Sequence, residues 1–535
     1  MTDALPAPTP PTPDVRGRSA VVVGGGIAGL ATAALLARDG FRVDLLEQQD
    51  QVGGRAGSWQ ADGFRFDTGP SWLLMPEVFE RFFSRMGTSM GSRLDVVPLD
   101  PAYRVFFEGH EQQVDIVADV DRNVATFEAI EAGSGTRLRD YLRSAQHTYQ
   151  MALAHFLYTS FTSRTDLLRG AVLKQAHRLA PLLLRSLQSH IASRFQDRRL
   201  RQILGYPAVF LGSSPDRTPS MYHLMSALDL TGGVRYPQGG FTELIRVIED
   251  LAHEQGARVH TGATVTAIST EALPGRRRRA RATGVTYRNR EGRTRHHRAD
   301  VVVAATDLHH VEHALLPAHL RDHSQRWWRR HDPGPGGVLV YLGVRGRLPQ
   351  LTHHTLLLFT ADWARNFRDI RTGRVPSPAS AYVCTPSRTD PSVAPPDGEN
   401  IFILVPVPAD PGIGRGGLDG QGDPPVERIA DEAIAMLADH TGIADLAARI
   451  VVRRTAGPGD FAEDLNAWRG SMLGPAHTLG QSAFFRASNA STRVRGLYLA
   501  GAGTVPGIGL PMCLISAETV AERIAGEMPA RGMVR

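Results

Sequence analysis

The sequence predicts an α/β fold of two domains. One is a discontinuous nucleotide domain that the chain leaves and later re-enters. The other is a mixed-sheet domain with a helical cap. Two observations predict the discontinuous domain. A glycine-rich turn between an apolar strand and a small-residue helix lies near the start, in "SAVVVGGGIAGLATAALLARDGFRVDLLEQ" (19–48). A second glycine-rich loop, in "GLYLAGAGTVPGIGLPMCLISAE" (496–518), lies near the other end. The 535 residues leave room for two or more domains between them.

The first element reads as a contiguous unit. Val21 to Val23 form a short buried strand. Gly24, Gly26 and Gly29 fit G-x-G-x-x-G and open a helix that runs to about Arg38. "FRVDLLE" then returns as a second strand ending at Glu47. In such a Rossmann-like unit the glycines make the turn, admit a pyrophosphate against the backbone and let helix and strand pack closely. The first helical amides and the helix dipole hold the phosphates. A carboxylate at the end of the second strand accepts ribose hydroxyls. Strand, loop, helix, strand and acid together predict a bound dinucleotide.

The next residues select the dinucleotide. "QQDQVGGRAGSW" (48–59) supplies Gly53, Gly54 and Arg55, and a guanidinium on a glycine turn suits a pyrophosphate. "GFRFDTGPSWL" (63–73) follows, with Asp67, Gly69 and Pro70. Here the chain resembles the flavoprotein amine-oxidase/desaturase superfamily. The resemblance implies FAD, with the last loop closing over the ribityl chain and pyrimidine end of the flavin. Gly501, Gly503, Thr504 and Met512 would stand there.

Further segments narrow the likeness. "VRYPQGGFTELIRVIEDLAHEQGARVHTGATVTAI" (234–268), "ADVVVAATDLHHVEHALLP" (299–317), "YLGVRGRLPQLTHHTLLLF" (341–359), "SAYVCTPSRTDPSVAPPDGENIFILVPVP" (380–408) and "DFAEDLNAWRGSMLGPAHTLGQSAFFR" (460–486) are similar to the bacterial phytoene desaturase type of carotenoid desaturases. The resemblance covers nearly the whole chain from about residue 19. It implies FAD-dependent desaturation of a C40 carotenoid, phytoene to lycopene, and places a backbone group near Val265 against the adenine. Another carotenoid desaturase or isomerase is an alternative. So are a soluble amine oxidase and a non-enzymatic isoprenoid-binding chaperone on the same scaffold. One departure is that many members carry His-Pro-Gly in the last loop, where this chain has Val505-Pro506-Gly507. The expected domains are a disordered Pro-rich tail (1–14), an FAD domain (15–107, 231–310 and 456–535), a helical cap with membrane contact (108–230) and a substrate domain (311–455).

Two groups are candidates for polar chemistry. Asp166 and Arg169 are one helical turn apart, a spacing that suits a surface ion pair. The resemblance instead implies a place at the reaction centre. The pair His353-His354 at a strand start is structural or catalytic on the same footing.

The cap carries a further signal. Leu168, Val172, Ala176, Leu179, Leu183, Leu187 and Ile191 recur at three- or four-residue steps. Between Arg164 and Arg201 there are nine Arg/Lys and two Asp, a net +7. Moving a C40 chain through water costs up to roughly 30 kcal/mol at about 0.8 kcal/mol per carbon group, so substrate must come from a bilayer. A peripheral attachment to the inner face of the cell membrane, from the cytoplasm, is the expectation. The expected electron acceptor is a quinone or oxygen.

Composition excludes several classes. The chain is 42% hydrophobic and 21% charged, an ordinary globular balance. Its two cysteines, Cys384 and Cys513, lie far apart, and no H-E-x-x-H spacing occurs, so no metal site is expected. "RRRR" at 276–279 sits between two strand-like runs and reads as a solvated hairpin tip. No recognition helix or aromatic platform accompanies it, so no nucleic-acid partner is expected. The oligomeric state is open.

Overall fold

The two strands that the glycine turn separates lie side by side and parallel in the computed structural model, which describes residues 15, 17–159, 181–274, 280–358 and 362–527. These are β1 (Ser19–Val23) and β2 (Arg42–Leu46), in register from Ser19↔Arg42 to Val23↔Leu46. Between them runs α1 (Ile27–Arg38). Its alanines, glycine and leucines are buried from Ile27 to Ala37, which lets it pack against the helices Phe241–Glu254 and Leu510–Glu527. β1 and β2 are the centre of a five-stranded parallel sheet, in the order Leu497–Leu499, Val301–Ala304, β1, β2, Arg258–His260. Strands from both ends and the middle of the chain therefore share one sheet. A parallel sheet needs crossovers, and here remote segments supply them.

An antiparallel hairpin, Thr264–Ala272 with Ala280–Arg288, lies beside this sheet. Its tip, with the arginine run 276–279, falls outside the described residues.

The other large sheet has seven strands, in the order Ile450–Ala456, Gly336–Arg345, Gly398–Val407, Ala381–Cys384, His354–Leu358, Tyr103–Phe107, Val114–Ile116. It is mixed, since Tyr103–Phe107 runs parallel to His354–Leu358 while the other pairs are antiparallel. The sequence-based boundary at 107 put Tyr103–Phe107 with the nucleotide domain, and Val114–Ile116 fell in the cap. Both instead extend this sheet. Tyr103, Val105 and Phe107 are buried at alternate positions, the pattern of a strand covered on one face.

Helices cover one side. Ser134–Ala152, Leu187–Ala192, Arg198–Gly205 and Met225–Leu230 form the cap around Phe127, Tyr141 and Phe195. Leu187 and Ile191, the last two members of the apolar stripe, are buried in this core. The segment holding Leu168, Val172, Ala176 and Leu179 lies outside the described residues.

Candidate active site

β1 ends at Val23 and the chain turns at Gly24, whose φ of +102° lies in the left-handed region. Gly24 N–H donates to Leu46 O at 2.8 Å. α1 begins after Gly26, which offers no side chain to the first-turn amides and so leaves them for an anion. A Cβ on Gly29 would lie 1.9 Å from Gly24 O, so the third glycine serves close packing. A Cβ on Gly26 would meet no protein atom nearer than Gly53 O at 3.9 Å. The space left there opens into a cavity of about 1170 Å3, lined at this end by Gly24, Gly26, Glu47, Gly54, Arg55 and Val265.

Glu47 closes this end. Its Oε2 accepts from Gly25 N–H at 2.6 Å and its Oε1 from Gln49 N–H at 2.8 Å. The two bonds fix the carboxylate at the end of β2, with lone pairs remaining for hydroxyl donors. Arg55 has a second duty beside facing the cavity: its Nε donates to Met472 O at 2.9 Å and so ties down the segment around Met472.

The last loop meets the same cavity. Gly501, Gly503 and Met512 line it. Gly501 N–H donates to Ser516 Oγ at 3.0 Å, which fixes the loop on the helix behind it. Thr504 differs from the sequence expectation. Its buried hydroxyl donates to Gly501 O at 3.1 Å and accepts from Asn489 Nδ2 at 3.2 Å, and it is absent from the cavity lining. The turn is closed by Thr504 N–H, which also donates to Gly501 O at 3.1 Å. Open glycine positions, an uncapped helix start and a fixed carboxylate together fit a dinucleotide.

Residues 27–525 match the family of flavin containing amine oxidoreductases. The chain belongs to that family. A carotenoid 3,4-desaturase of Haloarcula japonica is 40% identical over 512 residues, 96% of this chain and 99% of the relative. A zeta-carotene-forming phytoene desaturase of Myxococcus xanthus is 34% identical over 519 residues, 97% and 96% of the two chains. A solved oxidoreductase from Methanosarcina mazei shares the fold, with a TM-score of 0.57 at 18% identity, covering 94% of this chain and 100% of that one. The cofactor of this flavin amine oxidoreductase is FAD.

The far end of the flavin amine oxidoreductase's cavity is apolar, with Phe210, Leu224, Met225, Leu228, Phe402 and Leu404 in its wall. One polar group stands among them. Tyr382 Oη lies 2.5 Å from Ser71 Oγ, accepts from Trp72 Nε1 at 3.1 Å and lies 2.7 Å from His354 Nδ1. The indole of Trp72 stacks on His354, with ring centroids 4.9 Å apart. Burial pushes His353 down to about 3, and burial followed by His353 holds His354 well below its usual range. Both rings are therefore neutral at pH 7, and burial likewise holds Tyr382 neutral by pushing its phenol upward. His353, His354 and Cys384 each bring a donor atom within 4.8 Å of the other two. The sequence shows the adjacent His353-His354 but not Cys384, which the neighbouring strand Ala381–Cys384 brings beside them.

A second polar pair faces the cavity. Ile508 N–H donates to His477 Nε2 at 3.2 Å. A backbone N–H can only donate, so neutral His477 carries its hydrogen on Nδ1 and donates it to Tyr222 Oη at 2.8 Å. Tyr222 and His477 both line the cavity. Asp166 and Arg169 lie outside the described residues. Leu183, expected on the stripe, faces the cavity instead.

Proposed function

We propose that this protein is an FAD-dependent desaturase of a C40 carotenoid, with phytoene converted to lycopene as the first reading. One observation carries it: the glycine cradle and the apolar compartment are parts of one continuous cavity. A polyene offers neither charge nor hydrogen-bonding groups, so its recognition must rest on apolar contact, worth about 25 cal/mol per Å2 buried. Trp72, Phe210, Leu228 and Leu404 supply that contact and exclude water. FAD, when bound, supplies the hydride acceptor for each desaturation. The hydrogen bonds to Tyr382 hold its ring edge in place, so the wall is shaped before substrate enters. On the strength of the resemblance, the proton lost from the neighbouring carbon is assigned to Asp166, and the orienting of substrate to Arg169.

Substrate delivery is assigned to a membrane surface. Among the described residues no helix is long and apolar enough to cross a membrane. Leu184, next to the cavity-lining Leu183, is 81% exposed, an unusual position for a large apolar side chain beside a run of basic residues. A quinone or oxygen then reoxidises the cofactor.

The test is an anaerobic incubation of purified protein with phytoene in liposomes. Bleaching of the flavin absorbance and a longer-conjugated product on chromatography are expected. A flavin-loaded protein that changes no carotenoid offered to it sinks the reading. A second reading follows from the relative at 40% identity, named a carotenoid 3,4-desaturase. On that reading an already conjugated carotenoid is the substrate, and the same assay run with lycopene separates the two.

A further inference from the structure

Arg486 is 6% exposed, and its guanidinium is surrounded by backbone carbonyls. Nε donates to Thr504 O at 3.0 Å and Nη1 to Gln481 O at 3.1 Å. Nη2 donates to Pro475 O at 3.0 Å and to Ala502 O at 2.5 Å. Among the described residues no carboxylate lies within ion-pair distance. The protein's other deeply buried arginines are treated differently. Arg81 and Arg85 each reach Glu518 at 2.8 Å. A buried cation without an anion is unfavourable by several kcal/mol before its hydrogen bonds are counted, so a purely structural brace has little reason to be an arginine.

Its position gives it a reason. Pro475 and Ala502, two of the residues whose carbonyls it holds, line the cavity. The ionisable groups that face it, Tyr222, Cys513 and His477, are all kept neutral: burial raises the phenol and the thiol and lowers the imidazole. Among the described residues nothing nearby cancels the charge. Burial lowers Arg486 itself to about 10, which leaves it a cation at neutral pH. Glu47 and Val265 mark the adenosine end of the cavity, while Tyr222 and His477 lie toward the apolar end. A flavin with its adenosine end at Glu47 would bring its ring system toward the wall formed by Pro475 and Ala502, behind which Arg486 stands. The peptide linking Ala502 to Gly503 also turns its carbonyl to Arg486. In a planar trans peptide the N–H points the opposite way, away from the guanidinium, on a residue that lines the cavity.

We propose that Arg486 is a positioning residue for electron transfer: its uncompensated charge, and the peptide dipole it aligns, stabilise the negative charge that the flavin acquires on reduction. A hydride carries two electrons and one proton. Its C–H bond breaks on the substrate, both electrons go to the flavin, and the flavin gains one net negative charge. A cation fixed behind the ring makes that gain more favourable without reorganising.

This rests on the flavin reading of the cavity and needs no particular carotenoid. The experiment is a reductive titration of the purified holoprotein against redox dyes, with Arg486→Gln and Arg486→Lys beside wild type. Arg486→Gln is expected to lower the two-electron midpoint potential by about 30 mV or more, a tenfold change in the equilibrium. Arg486→Lys, which keeps the charge and loses most of the carbonyl contacts, is expected to stay near wild type. Sulfite adds to a flavin more tightly where positive charge faces the ring, so its dissociation constant should rise at least tenfold in Arg486→Gln. A folded, yellow Arg486→Gln protein with unchanged potential and sulfite affinity overturns the proposal and leaves Arg486 as a brace. If that variant does not fold, the other two proteins decide. A wild type that forms no sulfite adduct, or a yellow Arg486→Lys with a potential lowered by the same about 30 mV, overturns it as well. A wild type that purifies colourless and binds no added FAD instead removes the flavin reading itself.

Discussion

Gly507 leaves no room for a side chain because His477 fills the space: a Cβ there would lie 2.2 Å from His477 Cε1. Gly507 also holds φ at +143°, where a side chain is strained. The histidine ring is in turn held between Ile508 N–H and Tyr222 Oη. Gly507→Ala is therefore expected to lower stability by about 1–3 kcal/mol through strain, with a further loss from the clash. A thermal melt should show it. Gly507→Ala should cost less in a His477→Gly background than in wild type, since the clash goes and the strain stays. A Gly507→Ala protein that melts like wild type removes the constraint.

Glu47 holds the first loop and closes the glycine end of the cavity at once. Glu47→Ala removes acceptors for Gly25 and Gln49 N–H, each worth about 1.5–3 kcal/mol when the acceptor is charged. FAD retention on a desalting column should fall. Glu47→Gln retains one side-chain oxygen as an acceptor and should retain more cofactor than the alanine variant. Unchanged FAD affinity in Glu47→Ala removes the residue from the site.

These two loops differ in how far the sequence revealed them. Strand, glycine turn, helix and acid are contiguous from Ser19 to Glu47, so local grammar alone placed Gly24, Gly26 and Glu47. The last loop was visible as glycines, but the inward turn of Thr504 was not, because Asn489 and Gly501 O decide it. Tyr222, Tyr382, His477 and Arg486 carry no motif. Tyr222, Tyr382 and His477 reach the cavity from separate segments, Arg486 lies behind its lining, and only the tertiary fold brings them together. Tyr103–Phe107 was misplaced for the same reason: its parallel partner His354–Leu358 is remote in sequence.

Asp229 gives a pH prediction. It is buried, accepts from Tyr103 Oη at 2.8 Å, and burial raises it from 3.8 to about 7. The folded state therefore binds a proton that the unfolded state releases above pH 4. Stability from this group is complete below the unfolded value and is lost as pH rises through about 7. Asp229→Asn still offers an oxygen to Tyr103 and has no charge to bury. It should melt like wild type near pH 4 and higher than wild type at pH 8. Parallel melting curves at both pH values would mean that Asp229 is ionised in the folded protein.

Asp166 is assigned to substrate chemistry. Asp166→Asn should lower turnover by about 100-fold or more if it takes the proton, the usual range for a general base. Flavin content and melting temperature should stay as in wild type. Full activity returns Asp166 and Arg169 to a surface ion pair.

Leu183 and Leu184 are neighbours with opposite surroundings, and they separate substrate binding from membrane docking. Leu183 faces the cavity, while Leu184 is 81% exposed. Leu184→Ser should weaken flotation with anionic liposomes at every salt concentration, because apolar insertion is not screened, and should leave FAD binding untouched. Leu183→Ser should raise the KM for carotenoid and leave flotation unchanged. Reversing Lys174, Arg178 and Arg185 to glutamate acts on the electrostatic part, worth about 1 kcal/mol for each basic residue near an anionic surface. That variant should float poorly at low salt. At high salt it should match wild type, since the Debye length falls from about 10 Å at 0.1 M to about 3 Å at 1 M. If Leu184→Ser and the triple reversal both float as wild type does at low salt, this surface does not dock, and carotenoid must enter the cavity from another face.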